Sequence, residues 1–143
     1  MPASGPNEQI IRDGFRAFSE GRFEDALATL DPEVEWHIAF QLPDLPPERR
    51  IVHGQDAVLE LWRQFGGVWE RLVFDPEQVL YDEGDTAIVR IRVQGIGGGS
   101  HIEVDRTIFY AMTIRDRKLL RILPFDTPAE AAAAVGVDVT GLG

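Results

Sequence analysis

The sequence predicts one α+β domain in which helices come first and antiparallel strands follow. Two observations carry that prediction. Apolar residues recur at helical spacing as far as Trp69, and beyond it strand-like alternation takes over. A capping box, Thr127-Pro128-Ala129-Glu130, then opens one last short helix. Helices and sheet each have one apolar face, so the helices are expected to pack on one side of a curved sheet. A chain of 143 residues with 44% hydrophobic and 27% charged residues forms one domain, 1–143, without disulfide staples. Residues 1–6 and 137–143 are expected to be loosely ordered.

Ile11, Phe15 and Phe18 mark a first helix behind an N-cap at Asn7, ended at Glu20-Gly21-Arg22. Phe23, Ala26, Leu27 and Leu30 form the face of a short second helix, stopped by Asp31-Pro32. Val34, Trp36 and Ile38 alternate with Glu35 and His37, as in a strand with one buried face. A loop from Gln41 to Arg50 follows, where Pro43, Pro46 and Pro47 deny regular structure. From Gly54 a third helix sets Val58, Leu61, Trp62, Phe65 and Trp69 on one stripe. Strands are then expected at Arg71–Phe74 and Gln78–Tyr81, separated by Asp75-Pro76, and at Thr86–Gln94, His101–Ile114 and Leu119–Phe125. Gly97-Gly98-Gly99 and Asp116-Arg117 are the hairpin turns, and Gly136 ends the last helix.

Several function classes drop out on composition. With no cysteine there is no disulfide, thiolate metal site or thiol nucleophile. A net charge of −10 disfavours nucleic acid and anionic membrane as partners. No apolar run is long enough to span a bilayer and no leader pattern precedes the domain, so the expected location is the cytoplasm. His37, His53 and His101 form no metal-ligand spacing, and no metal is expected. Gly95-Ile96-Gly97-Gly98-Gly99-Ser100 lies between strands, with no helix start to receive a pyrophosphate. No cofactor is expected.

Glu20-Gly21-Arg22-Phe23-Glu24-Asp25-Ala26, Pro32-Glu33-Val34-Glu35-Trp36 and Val52-His53-Gly54-Gln55-Asp56-Ala57 resemble the opening half of the SnoaL-like polyketide cyclase family. Val89-Arg90-Ile91-Arg92-Val93, Ser100-His101-Ile102-Glu103-Val104, Thr113-Ile114-Arg115-Asp116-Arg117-Lys118 and Ala129-Glu130-Ala131 to Val135-Gly136 resemble its closing half. The resemblance implies a cone-shaped, nuclear-transport-factor-2-like (cystatin-like) roll. Its mainly antiparallel mixed sheet and three N-terminal helices enclose a pocket, and a short C-terminal helix follows. It also implies a homodimer formed through the outer sheet face. Arg117 stands where the family's hairpin has glycine, which implies a different turn. The family includes cyclases, isomerases, dehydratases and epoxide hydrolases, so fold does not fix chemistry. The positions of the ketosteroid isomerase base, helix tyrosine and late aspartate fall on Trp36, Gly14 and Tyr110, so steroid isomerisation is not expected. The aspartate–arginine–aspartate set of the limonene epoxide hydrolases is not in register either.

The strand His101–Ile114 supplies the catalytic candidates. Ile102, Val104, Ile108, Tyr110, Met112 and Ile114 share one face, with Arg106 in its middle. A buried guanidinium needs a partner. Arg106 is either a structural ion pair or bulge, or an anchor for a ligand carboxylate, carbonyl or enolate. Tyr110 can donate a hydrogen bond from the pocket wall. Asp126 has the parity of Ile122 and is either a general base that can pair with Arg106 or a surface residue beside the Thr127 cap. Trp36, Phe40, Trp62 and Trp69 are candidates for an apolar pocket floor, with core packing as the alternative. Arg92 can line the pocket or sit in a dimer interface. The expected ligand is small, apolar or carbonyl-bearing. Three readings stay open: an acid–base enzyme, a non-catalytic binder, and a dimeric scaffold whose pocket its own side chains fill.

Overall fold

The computed structural model describes residues 7–37, 51–97 and 103–137, with the backbone alone for residues 64–69. Phe40, the 41–50 loop, Ile38, His101 and both chain ends lie outside the described residues. The elements run α1 (Glu8–Ser19), α2 (Phe23–Leu27), β1 (Leu30–His37), β2 (Ile51–His53), α3 (Gln55–Val68), β3 (Trp69–Glu83), β4 (Thr86–Gly97), β5 (Glu103–Arg115), β6 (Lys118–Phe125) and α4 (Pro128–Ala134). The six strands form one sheet in the order β2-β1-β6-β5-β4-β3. Only the β1–β6 pair is parallel. Register shifts in β3 and β6 bend the ladder, and a bent sheet can wrap around helices.

Side-chain alternation divides the sheet cleanly. Val34 and Trp36 of β1, Val89, Ile91 and Val93 of β4, Ile108, Tyr110 and Met112 of β5 and Ile122 of β6 are buried together. They pack with Ile11, Phe15 and Phe18 of α1 and with Val58, Leu61 and Trp62 of α3. The opposite face buries Ile88 and Ala111 under Ala131 and Ala132 of α4. The C-terminal helix therefore covers part of the outer face. Its start follows the sequence reading: Thr127 Oγ1 accepts from the Glu130 N–H at 3.2 Å, with Pro128 at the first turn.

Four local expectations are corrected. Trp69 begins β3 rather than ending α3, because the helix stops at Val68. Asp75-Pro76 does not split β3; the strand runs through and shifts register between Pro76 and Gln78 instead. A short strand, Ile51–His53, follows the proline-rich segment and pairs antiparallel with β1. Asn7 occupies the N-cap position of α1, but its side chain does not cap the helix. Its amide donates to Asp82 Oδ1 at 2.8 Å and to the Gly84 carbonyl at 3.0 Å, tying α1 to the β3–β4 turn.

β3 is a sheet edge, and α1 covers part of it. The Phe74 N–H donates to Ser19 Oγ at 3.1 Å, while Ser19 Oγ donates back to the Phe74 carbonyl at 3.3 Å. Arg12 donates to the Pro76 carbonyl at 2.8 Å.

Asp31 was expected to stop a helix and is instead a buried strand residue. Arg115 grips it through Nε at 3.1 Å and Nη2 at 2.8 Å, and the Glu33 N–H donates to it at 2.8 Å. These donors, Arg115 first, hold its pKa below the ordinary 3.8. A carboxylate with a depressed folded pKa stabilises above the unfolded value, and that stability is lost as pH falls through the folded one. The melting temperature of the wild type should therefore drop steeply below about pH 4. Asp31→Asn should start lower at neutral pH and show a flatter acid limb. Parallel curves for the two proteins would exclude this carboxylate as the acid-sensitive group.

The β5–β6 turn has the geometry that glycine suits, so the different turn expected from Arg117 is not found. Asp116 and Arg117 both have positive φ, 52° and 64°, the signature of a type I′ hairpin turn. Aspartate tolerates that region, whereas arginine is strained in it. Arg117→Gly removes the strain at some cost in unfolded-chain entropy, so a net gain of about 0.5–1 kcal/mol is expected in urea unfolding.

Candidate active site

The inner face at the Arg106 end of β5 brings together three of the predicted residues. β4 and β5 pair in unbroken register from Ile96↔Glu103 to Thr86↔Thr113, so no bulge turns Arg106 away. It keeps the parity of Ile108 and Tyr110 and lies opposite the buried Val93, but it belongs to the first turn-side residues of β5, which are not buried, and its side chain is 43% exposed. The expected cost of a buried guanidinium is thus avoided by position. Arg106 Nη2 donates to Asp126 Oδ1 at 2.9 Å, and Asp126 is 74% exposed. The pair forms a polar rim above an apolar interior.

Tyr110 sits below that rim and is 1% exposed. Its ring stacks on Phe15 at 6.0 Å and meets Trp36 edge-on at 6.4 Å. The Trp36 indole N–H, a donor only, lies near the Tyr110 hydroxyl. Burial pushes the Tyr110 pKa up, and the nearby Trp36 N–H and the positive charge of Arg106 only partly oppose it. Tyr110 is therefore a neutral phenol at any physiological pH. It offers a proton in a hydrogen bond and cannot serve as a base.

Trp36 and Trp62 belong to a continuous aromatic core. Trp62 contacts Trp36 at 5.8 Å, Phe18 at 5.2 Å and Phe23 at 5.5 Å between ring centroids. The cavity beside them, lined by Gly14, Phe15, Thr29, Trp36, Trp62 and Ile122 among others, holds about 10 Å³ of free volume, room for one water at most. Gly14 is part of the reason. A Cβ there would lie 2.7 Å from Thr29 Oγ1, so α1 approaches the residues after α2 more closely than any larger side chain permits. The aromatic rings fill this part of the interior themselves.

Arg92 is corrected as a pocket residue. Val89, Ile91 and Val93 point inward, so Arg90, Arg92 and Gln94 point outward. Arg92 forms a two-bond pair with Asp105, at 2.9 and 2.7 Å, across the outer surface. The side chain of Trp69 is outside the described set, as is the whole of Phe40. His37 points opposite Trp36, 3.5 Å from Glu35 Oε1. Among the described residues no group of three or more histidines and carboxylates is placed to hold a metal, and no helix is long and apolar enough to cross a membrane.

An α+β cone with helices on the inner face of a six-stranded sheet, and polar groups at the rim of an aromatic interior, is a nuclear-transport-factor-2-like protein. The SnoaL-like domain model matches residues 11–122, and the chain belongs to that family. Solved structures agree on the fold. An NTF2-like protein of unknown function from Burkholderia pseudomallei K96243 superposes with a TM-score of 0.70 at 16% identity, covering 91% of this chain and 97% of its own. An NTF2-like protein from Burkholderia xenovorans LB400 gives 0.68 at 22% identity, covering 90% and 94%. TerC, co-crystallised with polyporic acid, gives 0.70 at 17% identity, covering 92% and 99%. No curated protein matches the chain in sequence.

Proposed function

We propose that the protein binds a small, mostly apolar, carbonyl-bearing molecule at the rim formed by Arg106 and Asp126, above the buried Tyr110. The observation that carries this reading is the half-exposed Arg106 guanidinium, bonded to Asp126 at 2.9 Å above the buried Tyr110 on one face of the sheet. A guanidinium donates hydrogen bonds in a planar fork, which suits a carbonyl or enolate oxygen. Trp36 and Trp62 supply the apolar wall, and Phe40 and Trp69 are proposed to complete it. Two copies are proposed to pair through the outer sheet face, in the cytoplasm; a monomer by light scattering at micromolar concentration would count against the pairing.

A second reading, acid–base turnover of the bound compound, is favoured by one feature. A single 2.9 Å bond from Arg106 is the contact made by Asp126, which is otherwise largely exposed and so able to exchange that partner for a substrate proton.

Polyporic acid, the compound co-crystallised with TerC, is the first ligand to test. Saturable quenching of tryptophan fluorescence is expected, weakened about tenfold in Arg106→Gln through loss of a charged hydrogen bond. Binding that is absent, or unchanged by that substitution, would defeat the reading. Turnover of any bound carbonyl compound that disappears in Asp126→Asn, with binding intact, would favour the enzyme.

A further inference from the structure

After β6 the chain passes from the sheet to α4 in three residues, each fastened to a different partner. Phe125 is the last paired residue of β6, opposite Phe109, and its half-buried ring packs with the Ile88, Ala111 and α4 cluster on the outer face. Asp126 follows with the opposite parity and accepts from Arg106 at 2.9 Å on the inner face. Thr127 then caps α4, accepting from the Glu130 N–H and donating to Glu130 Oε1 at 3.0 Å. Pro128 comes next and favours the extended backbone of Thr127, at φ −134° and ψ 152°. No slack residue separates the rim carboxylate from the helix, so the Asp126 backbone and the seat of α4 are positioned together.

α4 is lightly held. Seven residues are too few for a helix to persist in water by itself. Its fully buried residues are two alanines, Ala131 and Ala132, which remove little apolar area from water. Beneath them lie Ile88 and Ala111, with Leu80, Phe109 and Leu123 half-buried around them. An element with so little burial opens locally, well below the free energy of global unfolding. A small bias at its first turn therefore changes how often it opens.

We propose that the rim and the seat of α4 are coupled through Asp126, so that a ligand group which takes Arg106 from Asp126 loosens the helix and uncovers the apolar patch beneath it. Docked α4 holds Asp126 within reach of Arg106. By linkage, the ion pair favours the docked helix by the same factor. Both partners are substantially exposed, so that factor is about two- to fivefold. A ligand oxygen accepting from Arg106 Nη2 displaces Asp126, and an anionic one repels it as well. The ligand's part in this device rests on the binding proposed for the rim; the coupling between the pair and the helix does not.

Amide hydrogen exchange of the full chain, followed by NMR, tests the coupling. The reporters in α4 are the Ala131 N–H, bonded to the Thr127 carbonyl at 3.2 Å, and the Val137 N–H, bonded to the Ala132 carbonyl at 2.9 Å. Phe15 and Ala17 of α1 are the reference. Arg106→Gln should speed exchange two- to fivefold at the reporters and leave the reference amides unchanged. In the Asp126→Asn background the same substitution should add nothing, because the effect has a single carrier. No acceleration in Arg106→Gln, or an equal acceleration in the Asp126→Asn background, would overturn the proposal. Polyporic acid added to the wild type should reproduce the acceleration and have no such effect in Arg106→Gln. A compound that quenches tryptophan fluorescence through Arg106 yet leaves α4 unmoved would also overturn it. If the variants respond and the compound does not bind, the coupling stands and only the reading of the rim as its binding site fails.

Discussion

Trp62→Ala is expected to lower the unfolding free energy by about 3–5 kcal/mol, the range for deleting a fully buried large aromatic side chain. Trp62 is 2% exposed and contacts three other rings, one from each of α1, α2 and β1. Removing it deletes apolar contact with all three at once, and the cavity already beside it gives the neighbours little reason to close in. The stacked pair Phe18–Phe23 is held at 5.9 Å by helices whose positions other contacts fix. Collapse should therefore be partial and the loss near the upper end. Urea unfolding measures it, and Trp62→Phe, which keeps one ring against Phe18, should lose less. A loss below about 1 kcal/mol would show that the aromatic core repacks freely, contrary to the usual behaviour of dense interiors.

The second large effect belongs to Tyr110→Phe. The ring and its stacking on Phe15 remain, but the Trp36 indole N–H loses the hydroxyl near it in the core. A buried donor left unmatched costs about 1–3 kcal/mol. The double variant with Trp36→Phe removes both partners and should cost less than the sum of the single changes. The hydroxyl also sets an alkaline limit. Its folded pKa is raised above the ordinary 10.0, so the stability it contributes is present below pH 10 and is lost as pH rises beyond it. Melting curves from neutral pH into the alkaline range should fall for the wild type and flatten for Tyr110→Phe. If both fall together, another group governs the alkaline limb.

The architecture was legible because periodicity is a local property. The faces of α1 and α3, the alternation of β4 and β5 and the Thr127 capping box all follow from residues a few positions apart. Parity also placed Arg106, Tyr110 and Asp126 on one face, and the structure joins the first and last at 2.9 Å. What stayed hidden depends on long-range geometry. Asp31 and Arg115 lie 84 residues apart, and Asp31-Pro32 imitates a helix stop at short range. The Trp36–Tyr110 ring contact needs the distance between β1 and β5, which no spacing encodes. The direction of Arg92 was open because both parities of β4 are half apolar in the sequence. Only the packing of α4 on Ile88 identifies which face is outside. Trp69 followed the helical stripe one turn too far, since periodicity cannot mark where a helix gives way to a strand.

The bond between Ser19 and Phe74 has a consequence for the protein in a crowded solution. β3, at fifteen residues, is the longest strand among the described residues and stands at the end of the sheet, where bare N–H and C=O groups would template a strand from another molecule. Ser19 occupies both polar groups of Phe74, Pro76 has no N–H to offer, and Arg12 takes its carbonyl. The middle of the edge is thereby closed to an incoming chain. The first helix thus helps the fold resist the strand-to-strand association that leads to fibrils.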